Sequence, residues 1–113
     1  MSKLRVTLDK LERYSKNQGG YEIFLENDNI VLSFVPVFPE AVSKGDVPPR
    51  VIMTGKVANG KVEFHKVEID LPEGTHEREL SEAELVYKNW LDYIEDNYWK
   101  LVSPEKKIST QYL

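Results

Sequence analysis

The segment Ala58-Asn59-Gly60-Lys61 constrains the fold of this chain more than any other short stretch. Asn-Gly is the preferred centre of a type I′ turn, because both residues tolerate positive φ, and such a turn joins two antiparallel strands. A two-residue loop fixes the three cross-strand pairs next to it, which are Val57–Val62, Lys56–Glu63 and Gly55–Phe64. They are an apolar contact, an opposite-charge pair and an aromatic ring over a glycine, and each is favourable. Residues 50–71 are therefore predicted to form a β-hairpin.

The alternation of apolar residues shifts by one position within the second strand of this hairpin. Val62 and Phe64 are even-numbered, whereas Val67, Ile69 and Leu71 are odd-numbered. A regular strand cannot hold both sets on one face, because successive side chains point to opposite faces. We therefore predict a β-bulge at His65-Lys66, where one extra residue resets the phase.

A second hairpin is predicted over residues 21–38, with its turn at Asn27-Asp28-Asn29. The expected register places six apolar residues on one face through the pairs Leu25–Ile30, Ile23–Leu32 and Tyr21–Phe34. The other face carries Glu22, Glu26 and Ser33, together with a second apolar set of Phe24, Val31, Val35 and Val37. Pro36 marks the end of the second strand as an edge. Because both faces carry apolar side chains, both are expected to need cover.

Residues 3–17 fit two structures. Leu4, Leu8, Leu11 and Tyr14 form one helical stripe, which Ser2 would cap and Gly19-Gly20 would end. Leu4, Val6 and Leu8 also alternate, so a short strand is the alternative. We favour the helix.

A longer helix is predicted from the capping box Ser81-Glu82-Ala83-Glu84 to about Val102, before Pro104, with Leu80 and Leu85 as a hydrophobic staple. Its apolar side would contain Ala83, Tyr87, Trp90, Leu91, Ile94, Tyr98 and Leu101. Residues 72–79 are predicted to be a polar connection. The tail 103–113 is expected to be flexible or to add a strand from Lys107.

These elements predict an α+β fold in the order α-β-β-β-β-α, with residues 1–113 forming a single domain. The expected architecture is a four-stranded antiparallel sheet made of two hairpins. The C-terminal helix would cover one face, and either the N-terminal helix or a second subunit would cover the other.

Composition excludes several classes of function. The 113 residues contain no cysteine, so disulfide scaffolds, thiol catalysis and cysteine-ligated zinc are excluded. Fifteen Lys and Arg against nineteen Asp and Glu give a net charge of −4, which argues against nucleic-acid binding. No long apolar run indicates a membrane span, and the N-terminus does not resemble a signal peptide. We therefore expect a cytoplasmic protein.

Residues that could support catalysis are scattered. His65 and His76 are the only histidines, and their spacing matches no metal-ligand motif. No serine lies in a G-x-S-x-G sequence, and Gly19-Gly20 precedes a strand and not a helix, so no phosphate-binding loop is indicated. The sequence predicts no catalytic residue, no cofactor and no metal.

The prediction for function is therefore binding to another protein, of a regulatory or adaptor type, with the chain itself as the favoured partner in a homodimer. The predicted contact residues are Phe24, Val35 and Trp99, with Val42 and Val47 of the loop 39–49 at the rim.

Two alternatives remain open at this stage. One is a small-ligand or enzyme site between the sheet and the loop 39–49, formed by His65, Arg50 and Tyr87. The other is a nucleic-acid contact through Lys56, Lys61 and Lys66, which the net charge disfavours.

Overall fold

The computed structural model describes residues 2–36 and 49–97 of the chain. In these two ranges it contains six strands and two helices. They are β1 (Arg5–Thr7), α1 (Leu8–Gln18), β2 (Tyr21–Glu26), β3 (Asn29–Phe34), β4 (Arg50–Ala58), β5 (Lys61–Leu71), β6 (Gly74–Arg78) and α2 (Leu80–Asn97).

All strand pairs in the sheet are antiparallel, and the order across it is β1-β5-β4-β3-β2. β1 and β6 both pair with the edge of β5 that faces away from β4. β1 pairs with Lys61–Glu63, and β6 pairs with Val67–Leu71 farther along the same strand. The α+β class and the two hairpins are confirmed, whereas the strand count of four is wrong because both short strands on this edge were missed.

Residues 3–17 combine the two structures that the sequence allowed. Arg5–Thr7 is a strand, and the helix begins only at Leu8. The Leu8 N–H donates to the carbonyl of Gly60 at 2.9 Å, which ties the start of α1 to the β4–β5 turn. Ser2 therefore caps no helix, and its hydroxyl accepts from the Leu4 N–H instead. The predicted end is confirmed, since Gly19 adopts φ 73° and its N–H bonds to Ser15 O.

The registers of both predicted hairpins are confirmed. β2 and β3 pair through Leu25–Ile30, Ile23–Leu32 and Tyr21–Phe34. β4 and β5 pair through Val57–Val62, Lys56–Glu63 and Gly55–Phe64, around a turn in which Asn59 and Gly60 both have positive φ.

The predicted bulge is also confirmed. Thr54 pairs with Lys66 and Gly55 pairs with Phe64, so His65 is the extra residue. The bulge keeps Phe64 and Val67 on the same face, and both are fully buried. The change in apolar phase along the sequence is thus the direct signature of this irregularity.

β6 lies within the segment 72–79 that was predicted to be a connection. Its residues are mostly polar and exposed, so they show no apolar alternation. The turn before β6 can, however, be recognised from the sequence. Pro72 and Gly74 occupy the second and fourth positions of the turn that starts at Leu71, which is the pattern of a type I turn.

α2 begins at Leu80, one residue before the predicted capping box. The Glu84 carboxylate accepts from the backbone N–H of Lys3 at 2.8 Å and so binds the N-terminal segment, which the capping box did not anticipate. Leu85 is 85% exposed, so the predicted staple with Leu80 is wrong. Residues 98–102 of the predicted helix and the tail 103–113 lie outside the described residues.

Both helices pack against the same face of the sheet. Leu11 and Tyr14 of α1 and Leu91 and Ile94 of α2 belong to one hydrophobic cluster with the inward side chains of the strands. The largest of those strand residues are Ile30, Leu32, Phe34, Met53 and Phe64. The N-terminal helix therefore does not cover the second face, contrary to one of the two expectations.

An aromatic cluster joins α1, α2 and the β2–β3 hairpin within this core. The Trp90 Nε1–H donates to Tyr14 Oη at 3.0 Å, and the Trp90 ring stacks on Tyr21 with centroids 6.0 Å apart. Phe34 packs against both of these rings, with its centroid 5.3 Å from that of Trp90 and 5.2 Å from that of Tyr21. These contacts fix the position of both helices relative to β2, the last strand of the sheet.

Candidate functional site

The face of the sheet opposite the helices carries the second apolar set predicted from the sequence. We call this surface the open face, and the strand registers place on it Glu22, Phe24, Val31, Ser33, Arg50, Ile52, Thr54, Lys66 and Glu68. Phe24 is 65% exposed, and Val31 and Ile52 beside it are partly exposed. No described helix or strand packs over this surface, so its apolar side chains are available to a partner.

Charged side chains of both signs surround these apolar residues. The Arg50 guanidinium donates to Ser33 Oγ at 2.6 Å and lies 3.8 Å from the Glu22 carboxylate. Lys66 Nζ lies 3.5 Å from the Glu68 carboxylate. An apolar centre within a polar rim is the usual composition of a protein interface.

The described structure contains two of the five predicted contact residues. Phe24 lies on the open face, and Val35, 38% exposed, continues the alternation of β3 by one residue. Trp99, Val42 and Val47 lie outside the described residues, as does Val37. The contact with Phe24 and Val35 therefore stays a prediction, now with a defined surface around it.

The alternative site of His65, Arg50 and Tyr87 is not assembled. Arg50 pairs with Asp70, five residues along β5 from His65, a separation of about 16 Å at the usual rise per residue. Tyr87 belongs to α2, on the other face of the sheet, where its ring packs against Phe34. Burial raises the pKa of the Tyr87 phenol, partly opposed by the charge of Arg78. These three side chains cannot act on one small substrate.

A groove of about 720 Å³ lies beside β1 and the β4–β5 turn and includes His65 and Glu95 among its lining residues. Glu95 is already occupied by contacts within the chain. Its carboxylate accepts from the Thr7 N–H at 2.7 Å, from the Thr7 hydroxyl at 2.9 Å and from Lys10 Nζ at 2.7 Å. These contacts join α2 to the start of α1, so the carboxylate has a structural role.

The pKa of Glu95 reflects those contacts. Burial alone raises the pKa of this carboxyl, but the hydrogen bonds from Lys10 and Thr7 outweigh burial and lower it to about 2. In the described parts of the chain, no three His, Asp or Glu side chains gather closely enough to hold a metal ion.

The three lysines of the nucleic-acid alternative all have polar or acidic neighbours. Lys56 Nζ donates to Asn29 Oδ1 at 2.6 Å, Lys61 Nζ donates to Thr7 Oγ1 at 3.2 Å, and Lys66 pairs with Glu68. Phosphate contacts would have to compete with these interactions, which weakens the case for a nucleic-acid contact.

One exposed apolar patch was not anticipated from the sequence. Leu85, Val86 and Tyr93 are all more than half exposed and lie within about 100° of one another around α2. A helical wheel of the sequence could have predicted this exposure, because the three residues fall outside the apolar stripe assigned to the core.

No helix within residues 2–36 and 49–97 is long and apolar enough to cross a membrane. Comparison of the chain with protein-family models, with curated proteins and with solved structures returned no match. The function of this chain is therefore inferred from its own surfaces.

Proposed function

We propose that this protein acts by binding another protein through the open face of its sheet, and that a second copy of the chain is the partner. The observation that carries the proposal is Phe24, an aromatic side chain 65% exposed on the outermost strand of a surface that neither α1 nor α2 covers. Aromatic residues surrounded by polar groups contribute disproportionately to binding energy. The role would be regulatory or of an adaptor type, in the cytoplasm, which suits a chain without cysteine.

A second copy fits this surface because its charges are mixed. A two-fold axis brings the same patch of each subunit against the other, so the patch has to complement itself. Arg50 and Lys66 lie among Glu22 and Glu68, so a rotated copy can bring cations against carboxylates. A surface of one sign would repel its own copy.

Light scattering after size-exclusion chromatography tests the proposal over a range of protein concentrations. We expect a dimer for the natural sequence and a monomer for Phe24→Ser, because the substitution removes the exposed aromatic ring from the contact. Leu85→Ser is the matched control, since Leu85 is at least as exposed but lies on α2. It should leave the dimer intact.

Circular dichroism should show the same fold for all three proteins. A monomer for the natural sequence at every concentration would refute self-association. A dimer that Leu85→Ser disrupts and Phe24→Ser does not would place the contact on α2 instead.

A further inference from the structure

β2 is the outermost strand of the sheet, and no described strand pairs with its outer edge. It is joined to β3 by a two-residue loop, so the flanking residues Glu26 and Asn29 form a hydrogen-bonded pair. Every second residue from Glu26 then bonds to β3. The backbone N–H and C=O groups of Ile23 and Leu25 therefore point away from β3, toward the outer edge.

A groove of about 440 Å³ runs beside this edge, between β2 and α1. Ile23 forms part of its wall on the strand side, and the charged and hydroxyl side chains of α1 form the other wall. They are Asp9, Glu12, Arg13, Ser15 and Lys16. An extended segment paired with β2 would place every second side chain in this groove, because side chains alternate across a strand.

Ser15, in the wall of the groove, carries a polar atom that lacks a hydrogen bond. The side chain is only 8% exposed, and its hydroxyl finds no hydrogen-bond partner among the described residues. Buried polar atoms without a partner are rare and costly in folded proteins. The hydroxyl oxygen is itself shielded from solvent, so a polar side chain of an added strand supplies the missing bond only after the Ser15 side chain rotates toward the groove.

The negative charge of β2 determines which kind of strand can pair with its outer edge. Glu22 and Glu26 flank Phe24 on β2, and both are exposed. Antiparallel pairing of β2 with its own copy centred on Phe24 would place Glu22 opposite Glu26 twice, and like charges directly opposite one another are destabilising. Acidic residues on an edge strand therefore discourage self-pairing and favour a basic partner.

We propose that the β2 edge and the adjoining groove bind an extended segment of another protein, in which two basic residues four positions apart face Glu22 and Glu26 and the residues between them are apolar or carry a hydroxyl. The segment pairs with Ile23 and Leu25 through its backbone and places its basic side chains opposite Glu22 and Glu26. This mode is strand addition to a sheet edge. The edge adjoins the open face and shares Glu22 with it, where Arg50 lies 3.8 Å from that carboxylate, but strand addition needs no second copy of the chain.

Isothermal titration calorimetry tests the proposal with the acetylated and amidated peptide Lys-Ile-Val-Thr-Lys-Ile. In antiparallel pairing this peptide places lysine opposite Glu26 and Glu22 and its hydroxyl side chain in the groove. We expect binding that weakens about tenfold when both lysines are replaced by glutamate, because two attractive pairs become repulsive.

Two variants of the full chain locate the binding site. Ile23→Pro removes an outward N–H that β3 does not use, and we expect it to abolish binding. Glu26→Lys should weaken binding about fivefold. Glu77→Lys, on β6 at the opposite edge, is the matched control and should leave affinity unchanged.

Failure of the lysine peptide to bind would overturn the proposal. A folded Ile23→Pro variant, with the circular dichroism spectrum of the natural chain, would also overturn it by binding the peptide as tightly as the natural chain does. If the proline variant does not fold, unchanged binding by Glu26→Lys would overturn it instead. Loss of the dimer in Ile23→Pro would also overturn it, because a second copy of the chain would then occupy the edge. Light scattering with Phe24→Ser reports on the open face separately, so the two proposals can fail independently.

Discussion

Gly55 lies where β4 and β5 approach each other most closely, next to the bulge. A Cβ added at this position would lie within 2.8 Å of the Phe64 Cα and still closer to the carbonyl oxygen of Glu63. Both are backbone atoms, so neither can rotate away as a side chain would. The glycine is required by the close approach of the strands.

We predict that Gly55→Ala lowers the free energy of unfolding by about 1–3 kcal/mol, the usual cost of overpacking. Urea denaturation followed by circular dichroism measures the change. Thr54→Ala, at the neighbouring position on the open face, is the control and should cost less. Equal stability of Gly55→Ala and the natural sequence would show that the strands can separate without cost.

Glu95 makes folding dependent on pH. Its pKa falls from 4.5 to about 2 on folding, so its contribution to stability is complete above pH 4.5. That contribution is lost as the pH falls from 4.5 toward 2, because the carboxylate becomes protonated. The cause is the set of hydrogen bonds from Thr7 and Lys10.

We predict that Glu95→Gln costs about 1–3 kcal/mol at pH 7, the usual value for hydrogen bonds to a charged group. The difference in stability from the natural chain should shrink as the pH falls below 4.5. Denaturation at a series of pH values measures it, with Asp96→Asn as the exposed neighbouring control. A difference that is constant from pH 7 to pH 3 would contradict the assignment.

At the scale of the element, the bulge makes β5 tolerant of one deletion and intolerant of another. Removing His65 leaves Gly55–Phe64 and Thr54–Lys66 as consecutive pairs, so every buried side chain keeps its face. Removing Glu63 instead turns Phe64 to the open face and places His65 in the core. The two deletions are equal in length and differ only in their effect on register.

We therefore predict that the chain lacking His65 folds cooperatively, with a loss of less than about 2 kcal/mol, whereas the chain lacking Glu63 does not fold. Amide NMR dispersion and thermal unfolding distinguish the outcomes. If both deletions unfold the protein, the bend that the bulge introduces is itself essential. If both are tolerated, the register is not fixed by the core.

At the scale of the whole molecule, one hydrophobic cluster receives side chains from both helices and from all the described strands except β6. The prediction that residues 1–113 form a single domain then has a thermodynamic consequence. Unfolding should be a single cooperative transition, because no described helix has a core of its own.

We expect circular dichroism and tryptophan fluorescence to report the same urea midpoint in a Trp99→Phe variant, where Trp90 is the only fluorophore of its kind. Trp90 contacts α1, β2 and β3 and therefore senses the separation of the helices from the sheet. Two separate midpoints would show that part of the chain unfolds on its own.

The sequence by itself determined both hairpin registers and the bulge, because turn residues and alternation act over a few neighbouring positions. The Asn59-Gly60 turn and the apolar phase change at His65 could be read without knowing what packs nearby. The same holds for the position of Phe24 on the face opposite Tyr21 and Ile23, which follows from the register of β2.

Only the tertiary structure decided where the edges of the sheet lie and which face is covered. β1 exists because Arg5–Thr7 finds partners in Lys61–Glu63, and polar β6 exists because β5 offers it an edge. α1 joined α2 on one face through contacts such as Tyr14–Trp90, which leaves the open face and the β2 edge without cover from either helix. Such contacts join residues far apart in the chain, so no local pattern encodes them.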